Sequence, residues 1–221
     1  MADPAKIELM SVNVGLPKIL ATIHGDDVWS GIAKRPLATG EVMVRAANID
    51  GDGQADLTVH GGVDKAVYSY PAVHWAWWGA QEKLDCTPAT FGENLTLAEI
   101  DETQVRVGDR YAWGEAVLEV SQPRAPCFKL AIHTGRQDVP AAMTVSGRCG
   151  WYFRVIREGM APVRAPLLRV LESDGPTVRE AFAAVFAARS DLDELQRIHR
   201  ASALAGAWRA MVARKIAGTA R

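Results

Sequence analysis

Residues 121–129 read SQPRAPCFK, which places Cys127 directly after Pro126, three residues after Arg124 and two before Lys129. The alternating run AVLEVS ends at Gln122-Pro123, and CFKLAIHTG has helical spacing closed by Gly135, a residue suited to a helix C-terminus. Cys127 is therefore expected in the first turn of a short helix. Backbone N–H groups at such a start, with Arg124 and Lys129 nearby, lower a thiol pKa and favour the thiolate. A thiolate there can ligate a soft metal, carry sulfur or act as a nucleophile. The alternative is a half-buried cysteine that fills a strand–helix corner, and the local sequence leaves both open. Cys86 in LDCTPAT and Cys149 in SGRCGWY lack this setting and are assigned to packing.

Other residues could assist such a centre. His60 ends DLTVH and is followed by Gly61-Gly62, a pair that lets a backbone approach a ligand closely, with Lys65 as a cation for a phosphate. A tight turn with a solvated lysine is the plainer account of the same residues. FGENL at 91–95 offers Glu93 and Asn94 on a glycine turn, and SGRCG sets Arg148 between glycines. His133 lies six residues beyond Cys127 and is expected to cap its helix. The run Asp50-Gly51-Asp52-Gly53-Gln54-Ala55-Asp56 imitates the start of a calcium loop. It has Ala55 where glycine is required and Gly61 where a bidentate Glu belongs, so calcium is rejected. The chain has no Walker A loop, GxGxxG, HExxH or GxSxG, which removes the common nucleotide, zinc-protease and serine-hydrolase classes.

The elements that must position these residues differ along the chain. KIELMSVNVG, GEVMVRAANI, DLTVHG, QVRVGDRYAWG, AVLEVSQ and YFRVIREG are expected strands between turn residues, the pattern of a barrel or folded sheet. In AVLEVS, Ala116, Leu118 and Val120 share one face, Val117, Glu119 and Ser121 the other. AVYSYPAVHWAWWGAQEKL reads as one helix starting after Pro71, its tryptophans assigned to the core. PVRAPLLRVLESDGP reads as a linker. Beyond it come three alanine-rich helices: one capped by the Thr177/Glu180 box, one by Ser190 with Asp193, one after Gly206. An appendage of about 45 residues is too small for an independent core, so it is expected to pack on the main body or on a partner. The expected division is 1–170 and 171–221.

With 221 residues and 48% hydrophobic content the chain can bury a sizeable core, and a net charge of −1 argues against binding to nucleic acid or membranes by bulk electrostatics. Three widely spaced cysteines fit a reducing compartment rather than a disulfide framework. The N-terminus lacks the apolar run of a signal peptide, and no stretch approaches the ~18 apolar residues of a membrane span. A cytoplasmic location follows as the expectation, which makes the Asn94-Leu95-Thr96 sequon chemically irrelevant.

NIDGDGQADLTVHGGVDKAVYSYP, FGENLT, VRVGDRY, VLEVSQPRAPCFKLA and SGRCGWYFRV occur in that order. Together they resemble the MOSC domain, named for the C-terminal domain of molybdenum cofactor sulfurase, over roughly residues 7–165. The branch that it most resembles is the stand-alone bacterial one with a three-helix C-terminal domain. That resemblance implies a mainly β fold, a barrel related to the pyruvate kinase β-barrel domain with a few helices. It also implies a molybdenum cofactor (molybdopterin) whose metal is held by the cysteine of PRxPCxK, here Cys127. The implied activity is reduction of N-hydroxylated compounds such as hydroxylaminopurine-type base analogues, a detoxification. Electrons would come from a separate flavin-type reductase, and a homodimer is left open. Lys65, Arg124, Lys129 and Arg148 are candidates for the pterin phosphate by charge, with His60, Gly61, Gly62 and Asn94 beside them. His60 or Glu93 would deliver protons. The alternative is a sulfur carrier or cofactor-handling protein with a persulfide on Cys127; a non-enzymatic adaptor is the remaining option.

Overall fold

The computed structural model describes residues 5–55 and 61–219. Its strands are β1 (Lys6–Ile7), β2 (Leu9–Val14), β3 (Lys18–Ile23), β4 (Asp26–Ser30), β5 (Arg35–Pro36), β6 (Glu41–Arg45), β7 (Asn48–Ile49), β8 (Val67–Pro71), β9 (Leu95–Leu97), β10 (Arg110–Trp113), β11 (Ala116–Pro123), β12 (Trp151–Arg157), β13 (Gly159–Pro162) and β14 (Leu167–Leu171). The helices are α1 (Trp75–Glu82), α2 (Phe128–Thr134), α3 (Val139–Ser146), α4 (Val178–Phe186), α5 (Leu192–His199) and α6 (Gly206–Thr219). Nine strands form one mixed sheet in the order β1-β14-β10-β11-β12-β8-β9-β2-β5, parallel only between β8 and β9. The others make a three-stranded sheet, β13-β6-β7, and a separate hairpin, β3-β4. The fold is sheet-rich as expected, but among the described residues β1 and β5 do not pair and no closed barrel forms. Pro36 in β5 has no N–H to offer a further strand, which suits an edge.

The long central strand β11 supports the site. Ala116, Leu118 and Val120 face the main core with Tyr111, Trp113, Trp151 and Phe153. On the opposite face Glu119 and Ser121 are buried too: Glu119 accepts from Arg110 Nε (2.6 Å) and Arg154 Nη1 (2.8 Å), and Ser121 donates to Asp64 O (2.6 Å). Strand and helix bounds shift from expectation in two places. The segment expected as one helix begins as β8, a short 3-10 turn follows at Ala72–His74, and α1 starts only at Trp75. β-branched and aromatic residues at 67–70 suit a pleated, buried surface better than a helix, and all of β8 is buried. The expected linker contains β14, which pairs with β1 and β10.

The C-terminal helices pack on the sheet. Thr177 and Glu180 form the reciprocal capping box at α4, a cap that contributes about 1 kcal/mol. Asp191, not Ser190, caps α5 by accepting from Glu194 N at 3.0 Å. Phe182, Leu195 and Trp208 share a second core with Tyr70, Trp78 and Leu130 from the sheet side. Ala205 N donates to Ser121 O, which ties α6 to the strand that leads into the cysteine loop.

Candidate active-site cleft

β11 ends at Pro123, opposite Trp151, and the chain then turns through Arg124-Ala125-Pro126 into α2. The turn is held by Arg124 N donating to Gly150 O. Gly150 has φ +65, and a Cβ there would lie 2.2 Å from Ser69 O, so only glycine lets the 148–150 turn approach β8 so closely. Cys127 stands at the N-cap of α2, one position earlier than expected, with extended backbone and intermediate exposure. Gly135 closes the helix in the left-handed conformation.

Cys127 lines a cleft with about 670 Å³ of empty space, solvent mouth included. Lys65, Arg124, Lys129 and Asn94 line it as well, so five of the residues singled out by sequence converge from three separate segments. Arg124 is 5% exposed. Its guanidinium lies 5.0 Å from the Tyr68 ring centroid, and Nη1 reaches Met143 Sδ at 3.3 Å. Among the described residues no carboxylate pairs with it. Burial works against its charge, but Tyr68, Tyr152 and the Cys127 sulfur raise its pKa on balance. Lys129 Nζ donates to Trp29 O at 2.9 Å, which links α2 to the β3-β4 hairpin. Burial lowers the Lys65 pKa against the opposing charge of Asp64. The cleft is therefore rich in cations, and its most buried one sits beside a sulfur.

The other expected residues have different places. Arg148 does not line the cleft; its guanidinium stacks 4.4 Å from the Trp77 ring centroid. Gly61 and Gly62 lie outside the lining as well, Gly62 with φ +96 at the turn before Lys65. Glu93 is fully buried, not at the cleft surface. Its carboxylate accepts from Ala89 N (2.9 Å), Phe91 N (3.0 Å) and the Thr96 hydroxyl (2.8 Å), so it clamps its own loop. Burial raises its pKa despite those bonds. Asn94 donates to Asn13 O and Asp52 Oδ2 and accepts from Tyr68 N, which commits its amide to the cleft wall. His133 contacts Ala89 O at 3.4 Å from the last turn of α2, and burial lowers its pKa. His60, and the strand expected around it, lie outside the described residues.

Sequence reasoning missed Lys34. It lines the same cleft and forms an ion pair with Asp52, their side chains 7% and 1% exposed. Asp52 also accepts from Gly15 N (3.0 Å) and Asn94 Nδ2 (2.9 Å). Asp52 stood in the run that imitates a calcium loop, but its carboxylate serves Lys34, while Asp50 pairs with Arg45 at the surface. Nothing in the sequence around Lys34 marks it, because its partner is 18 residues away.

Comparison with known proteins places this geometry. The MOSC domain family matches residues 56–168, and the YiiM-like, 3-alpha helix domain matches residues 176–219. Protein YiiM of Escherichia coli is 39% identical over 94% of this chain and 93% of its own length. The crystal structure of YiiM from Geobacillus stearothermophilus superposes with a TM-score of 0.79 at 33% identity, over 95% of this chain and 99% of that one. A protein named "Reductase" from Gibberella moniliformis is 36% identical over 68% of this chain, but the match occupies only 27% of its length. The motif order around Cys127, the sheet that presents it and these likenesses agree: the chain belongs to the MOSC domain family, in the YiiM-like form that carries a three-helix domain.

Proposed function

We propose that the cleft binds molybdenum cofactor, with Cys127 as the metal ligand, and that the protein reduces N-hydroxylated compounds with electrons from a separate flavin-type reductase. The observation that carries this reading is Arg124, a buried guanidinium that lines the cleft beside Cys127 and has no carboxylate partner among the described residues. A buried charge is costly unless an opposite charge joins it, so the pocket is built for an anionic ligand. A thiolate suits a soft metal, and the pterin phosphate suits Arg124 with Lys65 and Lys129. The residues present therefore fit the group that the family implies. When bound, the cofactor supplies two-electron redox chemistry. The chain's own part is to hold the anion, to place a substrate against the Tyr68–Tyr152 wall, and to supply protons. The reductase name of the Gibberella relative supports the reaction class. Cytoplasmic location and a detoxifying role for hydroxylaminopurine-type base analogues belong to the same proposal.

The test is purification from a host that makes molybdenum cofactor and from one that cannot, as wild type and as Cys127→Ser. Metal and pterin near one per chain, absent from the variant, with turnover of a hydroxylamine under a reductant, would support the proposal. A protein without metal whose Cys127 carries one extra sulfur atom would replace it with sulfur carriage.

A further inference from the structure

The Lys34–Asp52 pair is buried in the wall of the cleft, and its place there calls for an explanation. Three glycines bring it there. A Cβ on Gly31 would lie 2.0 Å from Gly53 O, and one on Gly15 would lie 3.0 Å from Lys34 Cα. The segments around residues 15, 31–34 and 52–53 thus meet with no side chain between them. Gly15 N and Asn94 Nδ2 fix the Asp52 carboxylate from two other directions. A buried ion pair adds little stability compared with an apolar pair of the same volume, so stability alone does not account for it. An ammonium has three N–H donors, and Asp52 takes one of them.

We infer that Lys34 is the proton donor of the cleft and that Asp52 is its positioning residue. This rests on the proposed reductase activity. Reduction of R–NHOH takes two electrons and two protons, breaks the N–O bond and yields R–NH2 and water. The electrons come from a reductant of the flavin-dependent class. One proton passes from Lys34 Nζ to the departing hydroxyl oxygen, which leaves as water. The second reaches nitrogen from solvent, and solvent reprotonates Lys34. Burial lowers the Lys34 pKa more than Asp52 and Glu93 raise it, which brings an ammonium closer to the range where proton transfer is efficient. The cations that share the cleft are Lys65, Arg124 and Lys129.

The experiment uses cofactor-loaded protein as wild type, Lys34→Arg, Asp52→Asn and the double variant Lys34→Met/Asp52→Asn, which leaves no unpaired charge and guards against misfolding. Molybdenum and pterin content should stay at the wild-type level in all four. Lys34→Arg and the double variant should lose about 10²-fold or more in kcat, the range for a general acid. In Asp52→Asn the alkaline limb of the kcat–pH profile should move to lower pH, because the lost carboxylate held the Lys34 pKa up. Competitive acetylation of cofactor-free protein across pH supplies a reading independent of turnover: Lys34 should titrate below the ordinary lysine range, and lower still in Asp52→Asn. Lys34→Arg with kcat within a few-fold of wild type, or Lys34 titrating in the ordinary lysine range, would overturn the role. Wild type that holds no molybdenum and reduces nothing would overturn the reductase proposal and this role together. Loaded, active wild type beside active variants would overturn this role alone.

Discussion

Replacing Arg124 by methionine should leave the cofactor-free protein as stable as wild type or more stable, while it abolishes cofactor retention. The reasoning starts from burial: Arg124 is 5% exposed, and no carboxylate pairs with it among the described residues. Desolvation of such a cation costs several kcal/mol. Against this stand the cation–π contact with Tyr68, worth up to about 2 kcal/mol in a desolvated site, and the Tyr152 and Cys127 side chains, which also favour its charge. The contact with Met143 Sδ adds little, and the hydrogen bond from Arg124 N to Gly150 O survives the substitution. Methionine keeps the stem and fills the space. The balance is a change between zero and about +2 kcal/mol. For a chain of this size that is a melting temperature up to about 8 °C higher. Urea unfolding and calorimetry of protein from a cofactor-deficient host would read this directly. Pterin and molybdenum in protein from a competent host should fall to background. A loss of more than about 2 kcal/mol in the cofactor-free protein would refute the reasoning, since Arg124 would then be a structural residue.

Four further outcomes follow from the same geometry. Glu102 is fully buried, bonded to His74 (2.8 Å) and Gly150 N (2.8 Å) with Arg179 at 3.5 Å, so Glu102→Ala should cost about 3–5 kcal/mol in urea unfolding, and a loss below about 1 kcal/mol would contradict the account. Burial pushes the Glu102 pKa up, but His74, Gly150 N–H and Arg179 outweigh it and hold it below 4.5; its contribution is present above that value and lost as pH falls through the folded value, a dependence Glu102→Ala should lack. Iodoacetamide at pH 8 should alkylate Cys127 alone, because burial pushes Cys86 up to about 12 and raises buried Cys149 well above its usual value; adducts on either by mass spectrometry, with Cys127 unalkylated, would contradict this. Deleting residues 175–221 should yield aggregated or molten protein, since Phe182, Leu195 and Trp208 share a core with Tyr70 and Trp78, whereas a folded, monodisperse truncation would show the helices to be a separable appendage.

Local signals were legible where a few neighbouring residues decide the outcome. The Thr177/Glu180 box, Gly135 at the end of α2 and the helix after Gly206 all depend on contacts within one turn. The cysteine loop was legible for the same reason, to within one residue. The helix start after Pro71 was legible to within a few residues, but VYSY before it did not stand out as a strand, because it runs on into AVHWAWW as one apolar stretch; pairing with β9 and β12, distant in sequence, makes it β8. β14 was hidden by the prolines and the DGP turn that flank it. The cleft was half legible. Cys127, Arg124 and Lys129 sit in one short stretch, but Lys34 and Asp52 meet only through tertiary packing at three glycines. Arg148 and Glu93 had suitable chemistry in glycine turns, yet Trp77 takes one and the backbone of 89–91 takes the other.

Molybdenum and pterin content of wild type and Cys127→Ser, each from a cofactor-competent host, tests the central claim most directly. Metal and pterin near one per chain in wild type, with the metal lost in the variant, is the predicted result. Equal metal in both proteins, or none in wild type, would contradict it.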